Sequence, residues 1–349
     1  MNIDKKKPVM VTGATGYVAG WLIKQLLEDG IQVHAAVRNP ENKKKIQHLE
    51  DMAEANSGSL KFFKSDLLVD GSYEEAMQGC ELVFHTASPF ILNVKDKQKD
   101  LIEPALKGTQ NVLNSVNKTK SVKRVVLTSS CAAIYGDAID LKDTPNGEFS
   151  EEIWNNSSDE NHQAYSYSKL LAEKEAWKMQ KAQNRWDLIC VNPSLIIGPG
   201  TNPKATSASF DIIKQMGTGT MKFGAPEMNI GGVDVRDVAN AHFQAAYTPS
   251  ANGRYICSNE SIQFLDLADM LRDNYGDNYP LPKKNLPKWF LWIIGPAAGM
   301  SRKEVSRNIG YPWKANNSKG KRELGLTYRP LKLAVNEMFQ QLIDSKQIK

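Results

Sequence analysis

The sequence predicts an α/β fold, a Rossmann-type doubly wound parallel sheet with a smaller C-terminal lobe. Three observations carry that expectation. Short apolar, β-branched runs alternate with amphipathic stretches of helix length through the first half of the chain. Those runs are apolar throughout, as strands covered on both faces must be. A glycine-rich turn joins the first such run to the first helical stretch, where folds of this class place a ligand crevice.

The elements follow in order. Pro8–Thr12 reads as the first strand, and a helix runs from about Val18 to Glu28. Further strands are expected at Gln32–Arg38, Leu60–Asp66, Leu82–Thr86, Arg124–Ser129 and Asp187–Asn192, each separated by a segment of helix length. After Pro193 the text turns rich in Pro, Gly, Thr and Ser, which suits a loop lining a cleft. Gly231–Tyr247 reads as a strand and helix returning to the main sheet. Residues 1–192, with 229–250 returning to them, are therefore expected to form the nucleotide-binding domain. Residues 193–228 and 251–349 are expected to form a substrate lobe.

Composition narrows the function. A net charge of +5 over 349 residues suits an anionic small ligand, and no concentrated basic block argues for nucleic acid. Cys80, Cys131, Cys190 and Cys257 lie far apart with no metal-ligand spacing, so neither a zinc site nor a disulfide framework is expected. The N-terminus is polar and lysine-bearing, without the pattern of a signal peptide, and a reducing, cytoplasmic setting is expected. The longest apolar stretch, Trp289–Met300, holds Gly295 and Pro296 and is too short to span a bilayer. A buried or lid helix is expected there, contact with a membrane surface being the lesser reading, and no stable membrane insertion is expected.

The turn after the first strand reads Thr12-Gly13-Ala14-Thr15-Gly16-Tyr17-Val18-Ala19-Gly20. Glycines at 13 and 16 allow a tight turn and close approach of a pyrophosphate to the backbone, and the helix start offers free N–H groups to the anion. At the end of the second strand stands Arg38, where an acid would bind the 2′-hydroxyl of NAD. An arginine accommodates a 2′-phosphate instead, so the expected cofactor is NADPH/NADP+. Lys44 is near enough to add a second positive charge, with plain surface charge as its alternative reading.

Tyr165-Ser166-Tyr167-Ser168-Lys169 places a tyrosine and a lysine at i and i+4 on one face of an expected helix. The ammonium favours the phenolate and readies the tyrosine as a general acid. The run Leu127-Thr128-Ser129-Ser130 ends at the edge of the sheet where active-site groups gather. A serine hydroxyl there would polarise a carbonyl oxygen. Ser130 is the choice; spacing does not exclude Ser129. Phe90, Ile91, Ile134, Phe210 and Phe223 are candidates to line an apolar pocket, and core packing explains each equally well.

With these pieces in place, the chain resembles the extended short-chain dehydrogenase/reductase family. Within it the likeness is to the branch of dihydroflavonol, cinnamoyl-CoA and fungal methylglyoxal/aldehyde reductases. The likeness rests on TGATGYVAG at 12–20, VRNPENKKK at 37–45, SDL at 65–67, GCELVFHTASPF at 79–90, RVVLTSSCAAIYG at 124–136, YSYSK at 165–169, VNPSLIIGP at 191–199, VDVRDVANAH at 233–242 and NSKGKRELGL at 317–326. It implies that Gly13, Thr15, Gly16, Tyr17 and Val18 form the pyrophosphate loop, and that Arg38 and Lys44 bind the 2′-phosphate. It further implies that Asp66 and Leu67 border the adenine and that Thr86, Ala87 and Ser88 line the cofactor channel. Pro193, Ser194 and Leu195 would flank the nicotinamide, with hydride leaving its B face, and Ser130, Tyr165 and Lys169 would form the catalytic triad.

One departure is informative. Where many extended-family epimerases carry an asparagine, this chain reads Ala105-Leu106-Lys107-Gly108-Thr109, as the reductase branch does. The activity implied is NADPH-dependent reduction of a small aldehyde or ketone, by a monomer or homodimer and without a metal. The competing readings are a sugar-nucleotide epimerase or dehydratase and a non-catalytic NADPH-binding sensor.

Overall fold

The computed structural model describes residues 1–88 and 96–348. The chain runs β1 (Val9–Thr12), α1 (Tyr17–Glu28), β2 (Gln32–Val37), α2 (Lys43–Glu54), β3 (Ser59–Lys64), β4 (Leu82–His85), α3 (Glu103–Lys118), β5 (Arg124–Thr128), α4 (Ala164–Lys181) and β6 (Asp187–Pro193). It continues through β7 (Leu195–Ile197), α5 (Ala208–Gly217), β8 (Ala225–Pro226), β9 (Asn229–Asp234), α6 (Val235–Tyr247), β10 (Gly253–Cys257), β11 (Glu260–Gln263) and α7 (Phe264–Tyr275). It closes with β12 (Asn285–Leu286), α8 (Lys288–Ile294), α9 (Arg302–Asn308), α10 (Ser318–Leu324) and α11 (Leu331–Asp344). The strands expected between Pro8 and Asn192 all form, each within about two residues of its expected bounds.

Seven strands make one parallel sheet in the order β10-β6-β5-β4-β1-β2-β3. The order reverses between β1 and β4, and the crevice at that switch point is where such a sheet binds its ligand. One face is covered by α1 and α6, which bury Leu22, Ile23, Leu26 and Leu27 against Val238, Ala241 and Ala245. The other is covered by α3 and α4 through Val112, Leu113, Val116 and Ala176. Each fully buried Leu or Ile contributes about 1.5 to 3 kcal/mol. Arg124, wholly buried, grips Asp187 with two bonds of 2.9 Å and donates to the Ala245, Ala246 and Thr248 carbonyls, tying the end of α6 to β5 and β6.

One strand goes elsewhere than expected. The helix of the Gly231–Tyr247 segment does return to the main sheet, but its strand, β9, pairs with β7 and β11 in a separate three-stranded sheet. The seventh main strand is β10, from the stretch read as substrate lobe. The reason is steric. A Cβ on Gly231 would strike the Trp313 ring at 2.3 Å and one on Gly232 the Leu331 side chain at 2.6 Å, so β9 is cut to fit C-terminal side chains. In β10, Arg254, Tyr255, Ile256 and Cys257 are all buried and need a sheet covered on both faces. The second core, from Ile197, Phe210, Leu267, Leu271, Val335 and Phe339, holds α5, α7 and α11 against the small sheet.

Two buried histidines give the fold a pH dependence. His242 on α6 sets Nδ1 2.8 Å from the Val238 carbonyl and Nε2 2.6 Å from the Thr128 hydroxyl, so the neutral ring donates at Nδ1 and accepts at Nε2. Burial pulls its pKa down to about 4. His85, at the end of β4, is pulled down to about 3 by burial and, second, by the Lys169 ammonium. An unfolded chain protonates both rings near pH ~6.5. Between there and the folded values it binds more protons than the native state, so stability rises with pH across that window. We expect the urea midpoint to fall as pH drops from about 6.5 towards 4, each ring forfeiting about 1 to 2 kcal/mol per pH unit. His242→Gln should flatten the slope, and an unchanged slope would remove His242 as a source of it.

Candidate active site

The nucleotide cradle is built from backbone. Gly13 takes φ +59°, and a Cβ there would lie 3.0 Å from Ala87, so the turn closes only around glycine. Gly16 N–H donates to the Gly13 carbonyl at 2.8 Å, and α1 then begins with no side-chain cap and no acid in its first turn. Its first N–H groups are thus left for an anion, as a pyrophosphate requires. Thr15, Gly16 and Val18 line this turn. Tyr17 points away, its hydroxyl donating to the Gly198 carbonyl at 2.6 Å, and Trp21 donates to the Pro199 carbonyl at 2.7 Å. One helix therefore positions both the phosphate turn and the segment after β7.

Arg38 follows β2 directly and Lys44 lies in the first turn of α2; both are exposed. Lys43 is taken up by Glu50 at 2.5 Å, whereas Arg38 and Lys44 make no ion pair or hydrogen bond among the described residues. Two free cations beside the turn suit a phosphate on the ribose. Asp66 and Leu67 sit on the loop after β3. Asn111 on α3, buried, holds that loop by donating to the Asp66, Leu67 and Val69 carbonyls and accepting from Gly71 N–H.

After β4, Thr86 donates to the Thr12 carbonyl at 2.5 Å and Ala87 N–H to the Thr12 hydroxyl at 2.9 Å, so the channel wall is stitched to β1. Ser88 comes next and accepts from the Lys169 ammonium at 2.8 Å. Pro193 ends β6, and Leu195 opens β7. Ser194 N–H bonds the Cys257 carbonyl at 3.1 Å, while its buried hydroxyl has no partner. An orphaned hydroxyl beside the channel, a turn that admits no Cβ and an uncapped helix start fit a dinucleotide.

Tyr165 and Lys169 stand on the first turns of α4, behind a left-handed Gln163. The lysine is 9% exposed and its Nζ lies 5.8 Å from the Tyr165 ring centre, while the tyrosine is 50% exposed to the cleft. The two serines part company. Ser129 is buried and donates to Glu173, so its hydroxyl is committed. Ser130 is half-buried and caps the turn Cys131–Ala133, its hydroxyl oxygen accepting from Ala132 N–H at 3.1 Å. Beneath Lys169 a cavity with room for about one water is bordered by Ala105, Thr109, Thr128 and Ser129.

Two buried carboxylates escaped the sequence reading. Glu173 accepts from Ser129, from Asn192 at 2.8 Å, from Arg254 at 2.6 Å and from Trp177 at 3.2 Å. It lies four residues past Lys169, so the spacing that marked Tyr165 and Lys169 also reaches it. Asp137 accepts from His162 at 2.8 Å, Asn308 at 2.7 Å and Arg307 at 2.5 Å, three residues before Tyr165 in the case of His162. Burial pushes its carboxyl up, but the bonds from Arg307, His162 and Asn308 outweigh this and hold it below the usual range. No local pattern announces that hub.

The pocket candidates do not gather. Ile134 and Phe210 are core residues at 1% and 4% exposure, Phe210 standing edge-on to Tyr17. Phe223 is exposed on the surface, and Phe90 and Ile91 lie outside the described residues.

Removing Glu173 would leave the Arg254 guanidinium buried without its counter-charge. Glu173→Leu should cost about 3 to 5 kcal/mol in urea unfolding. A loss under about 1 kcal/mol would mean that the network is not holding these strands.

The comparisons with known proteins agree with this geometry. The model of the NAD dependent epimerase/dehydratase family matches residues 9–257. The chain is 37% identical over 341 residues to the cinnamoyl-CoA reductase CAD2 of Medicago truncatula, covering 97% of this chain and 96% of that one. It is 33% identical over 314 residues to the bifunctional dihydroflavonol 4-reductase/flavanone 4-reductase of Malus domestica, covering 89% and 87%. Among solved structures it is similar to yeast methylglyoxal/isovaleraldehyde reductase Gre2 complexed with NADPH, with TM-score 0.76 and 28% identity over 98% of this chain and 100% of that one. The chain thus belongs to the NAD dependent epimerase/dehydratase family, the extended short-chain dehydrogenase/reductases, and stands among its nicotinamide-dependent reductases.

Proposed function

We propose that this chain reduces a small aldehyde or ketone to the alcohol with NADPH. The observation that carries the reading is the placement of Lys169. Its buried ammonium is held by Ser88 on the channel wall and faces the Tyr165 ring, and the turn that carries Ser130 packs on the same helix. Bound NADPH supplies the hydride. The turn from Gly13 through Thr15 and Gly16 to Tyr17 and Val18 binds the pyrophosphate through its N–H groups. Arg38, aided by Lys44, reads the 2′-phosphate, while Asp66 and Leu67 border the adenine. Thr86, Ala87 and Ser88 line the channel, and Pro193, Ser194 and Leu195 flank the nicotinamide.

At the reacting end, Ser130 and Tyr165 donate hydrogen bonds to the carbonyl oxygen. Tyr165 gives up its proton as negative charge develops there, and the Lys169 ammonium stabilises the phenolate that remains. The small aldehydes named for the yeast relative are the first substrates to try, ahead of the larger ones named for the plant enzymes.

Tyr165→Phe should retain nucleotide binding by fluorescence titration and lose about 100-fold or more in kcat. Ser130→Ala should lose about 10- to 1000-fold in kcat, whereas Ser129→Ala should act on the melting temperature and largely spare turnover. Near-normal turnover of Tyr165→Phe would remove it as the acid, and equal kcat losses at both serines would undo the assignment of Ser130. Arg38→Asp should raise KM for NADPH about 10- to 100-fold and leave KM for NADH nearly unchanged. A parallel change in both would place the 2′-phosphate contact elsewhere.

A further inference from the structure

The Trp289–Met300 segment, expected to form a buried or lid helix, lies on the surface. From Trp289 to Gly299 only Leu291 and Gly295 are buried, four residues apart, and Leu291 anchors α8 on Val305 and Ile309. Trp289, Phe290, Trp292, Ile293 and Ile294 all stand exposed, Trp289 at 66% and Ile293 at 58%. Phe223, 74% exposed, stands two residues before β8, which pairs with the strand directly before α8. An exposed apolar patch of this kind marks a contact surface.

The charges around the patch specify the partner. The Lys222 ammonium rests 5.0 Å from the Phe223 ring centre and the Arg302 guanidinium 4.4 Å from that of Trp292, so cations are held against the exposed rings. Lys283, Lys284 and Lys303 stand exposed nearby. Among the charges at this face, Lys283 is paired with Asp277 at 2.7 Å and Lys303 with Asp159 at 3.9 Å, and Glu304 caps α9 at Ser301. Glu160 and Glu227 add two more carboxylates, while Lys222, Lys284 and Arg302 make no ion pair among the described residues. Indole rings favour the boundary between headgroups and acyl chains, and cations beside them reach anionic headgroups. A second copy on this face would set the unpaired Lys222, Lys284 and Arg302 of the two copies against one another, which opposes self-pairing.

We propose that α8 and the turn after it dock the protein on the surface of an anionic lipid bilayer. The contact is peripheral: among the described residues no helix is long and apolar enough to cross a membrane. The docking face shares no residue with the catalytic or nucleotide-binding groups.

The test mixes the full chain at low salt with vesicles of phosphatidylcholine alone, or with phosphatidylcholine and phosphatidylserine at about three to one, and sediments them. The wild type should partition at least about tenfold more strongly onto the anionic vesicles, with a blue shift of tryptophan emission. Trp292→Ser combined with Ile293→Ser should abolish the partition while keeping the melting temperature and nucleotide binding. The proposal is overturned if the wild type stays in the supernatant with both vesicles, or if the double variant sediments as the wild type does. It is also overturned if sedimentation equilibrium without lipid shows a dimer that the double substitution dissociates, since the face would then belong to a second copy.

Discussion

Burying a carboxylate against a sheet is unfavourable unless its lone pairs meet donors, and Glu173 meets them from several directions. Ser129 comes from the end of β5, Asn192 from β6 and Arg254 from β10, three neighbouring strands in the sheet. Arg254 passes the constraint on. Its Nη1 donates to the Glu151 and Ile153 carbonyls, and its guanidinium stacks 3.9 Å from the Trp154 ring centre. Lys169 and Tyr165 stand one and two turns before Glu173 on the same face of α4, so anchoring the carboxylate sets their height against the sheet. The same anchor draws Ser129 inward and leaves Ser130 as the hydroxyl next in line at the cleft.

A second constraint fixes the start of that helix. Asp137 binds His162 just ahead of Tyr165 and Arg307 and Asn308 on α9, and the Asn308 amide oxygen accepts from Ala138 N–H at 2.9 Å. The segment after Ser130, the loop before Tyr165 and the C-terminal lobe therefore meet at one buried charge. On the nucleotide side no comparable hub is needed. The turn at Gly13 leaves backbone N–H groups unpaired at the start of α1, and Arg38 and Lys44 stand exposed without an ion pair among the described residues. A rigid reacting end and an open binding end suit a ligand that must enter and leave.

How much of this could be read in advance depends on the range of the interactions. Apolar runs such as Arg124–Thr128 announce strands of a covered sheet because burial on both faces dictates their composition. The glycine turn and the Tyr165–Lys169 spacing are likewise local. The destination of β9 was not legible, since the Trp313 and Leu331 side chains that shape it lie far along the chain. Nor could the sequence separate Ser129 from Ser130: adjacent residues differ only in which one meets Glu173. Phe210, Phe223 and Trp289 show the same limit from the apolar side. Hydrophobicity says that a residue gains from leaving water, while only the set of available partners decides whether it joins a core or stays at the surface.

The commitments of the carboxylates also bear on the reaction. A sugar dehydratase needs an acid pair just beyond the β5 serine, and here that stretch is Cys131-Ala132-Ala133, with the Cys131 thiol 3.2 Å from the Asn192 carbonyl. The next acids along the chain are Asp137 and Asp140. The first is enclosed by its three donors, and the second accepts from Asp137 N–H, Ser157 and Arg307. Glu173 is fully engaged from the other side. Such groups are committed to holding structure. On the proposed function the proton comes instead from Tyr165, half exposed beside the buried Lys169 ammonium. The proposed reaction adds one proton and one hydride to a carbonyl, and so asks for a single proton donor beside the nucleotide.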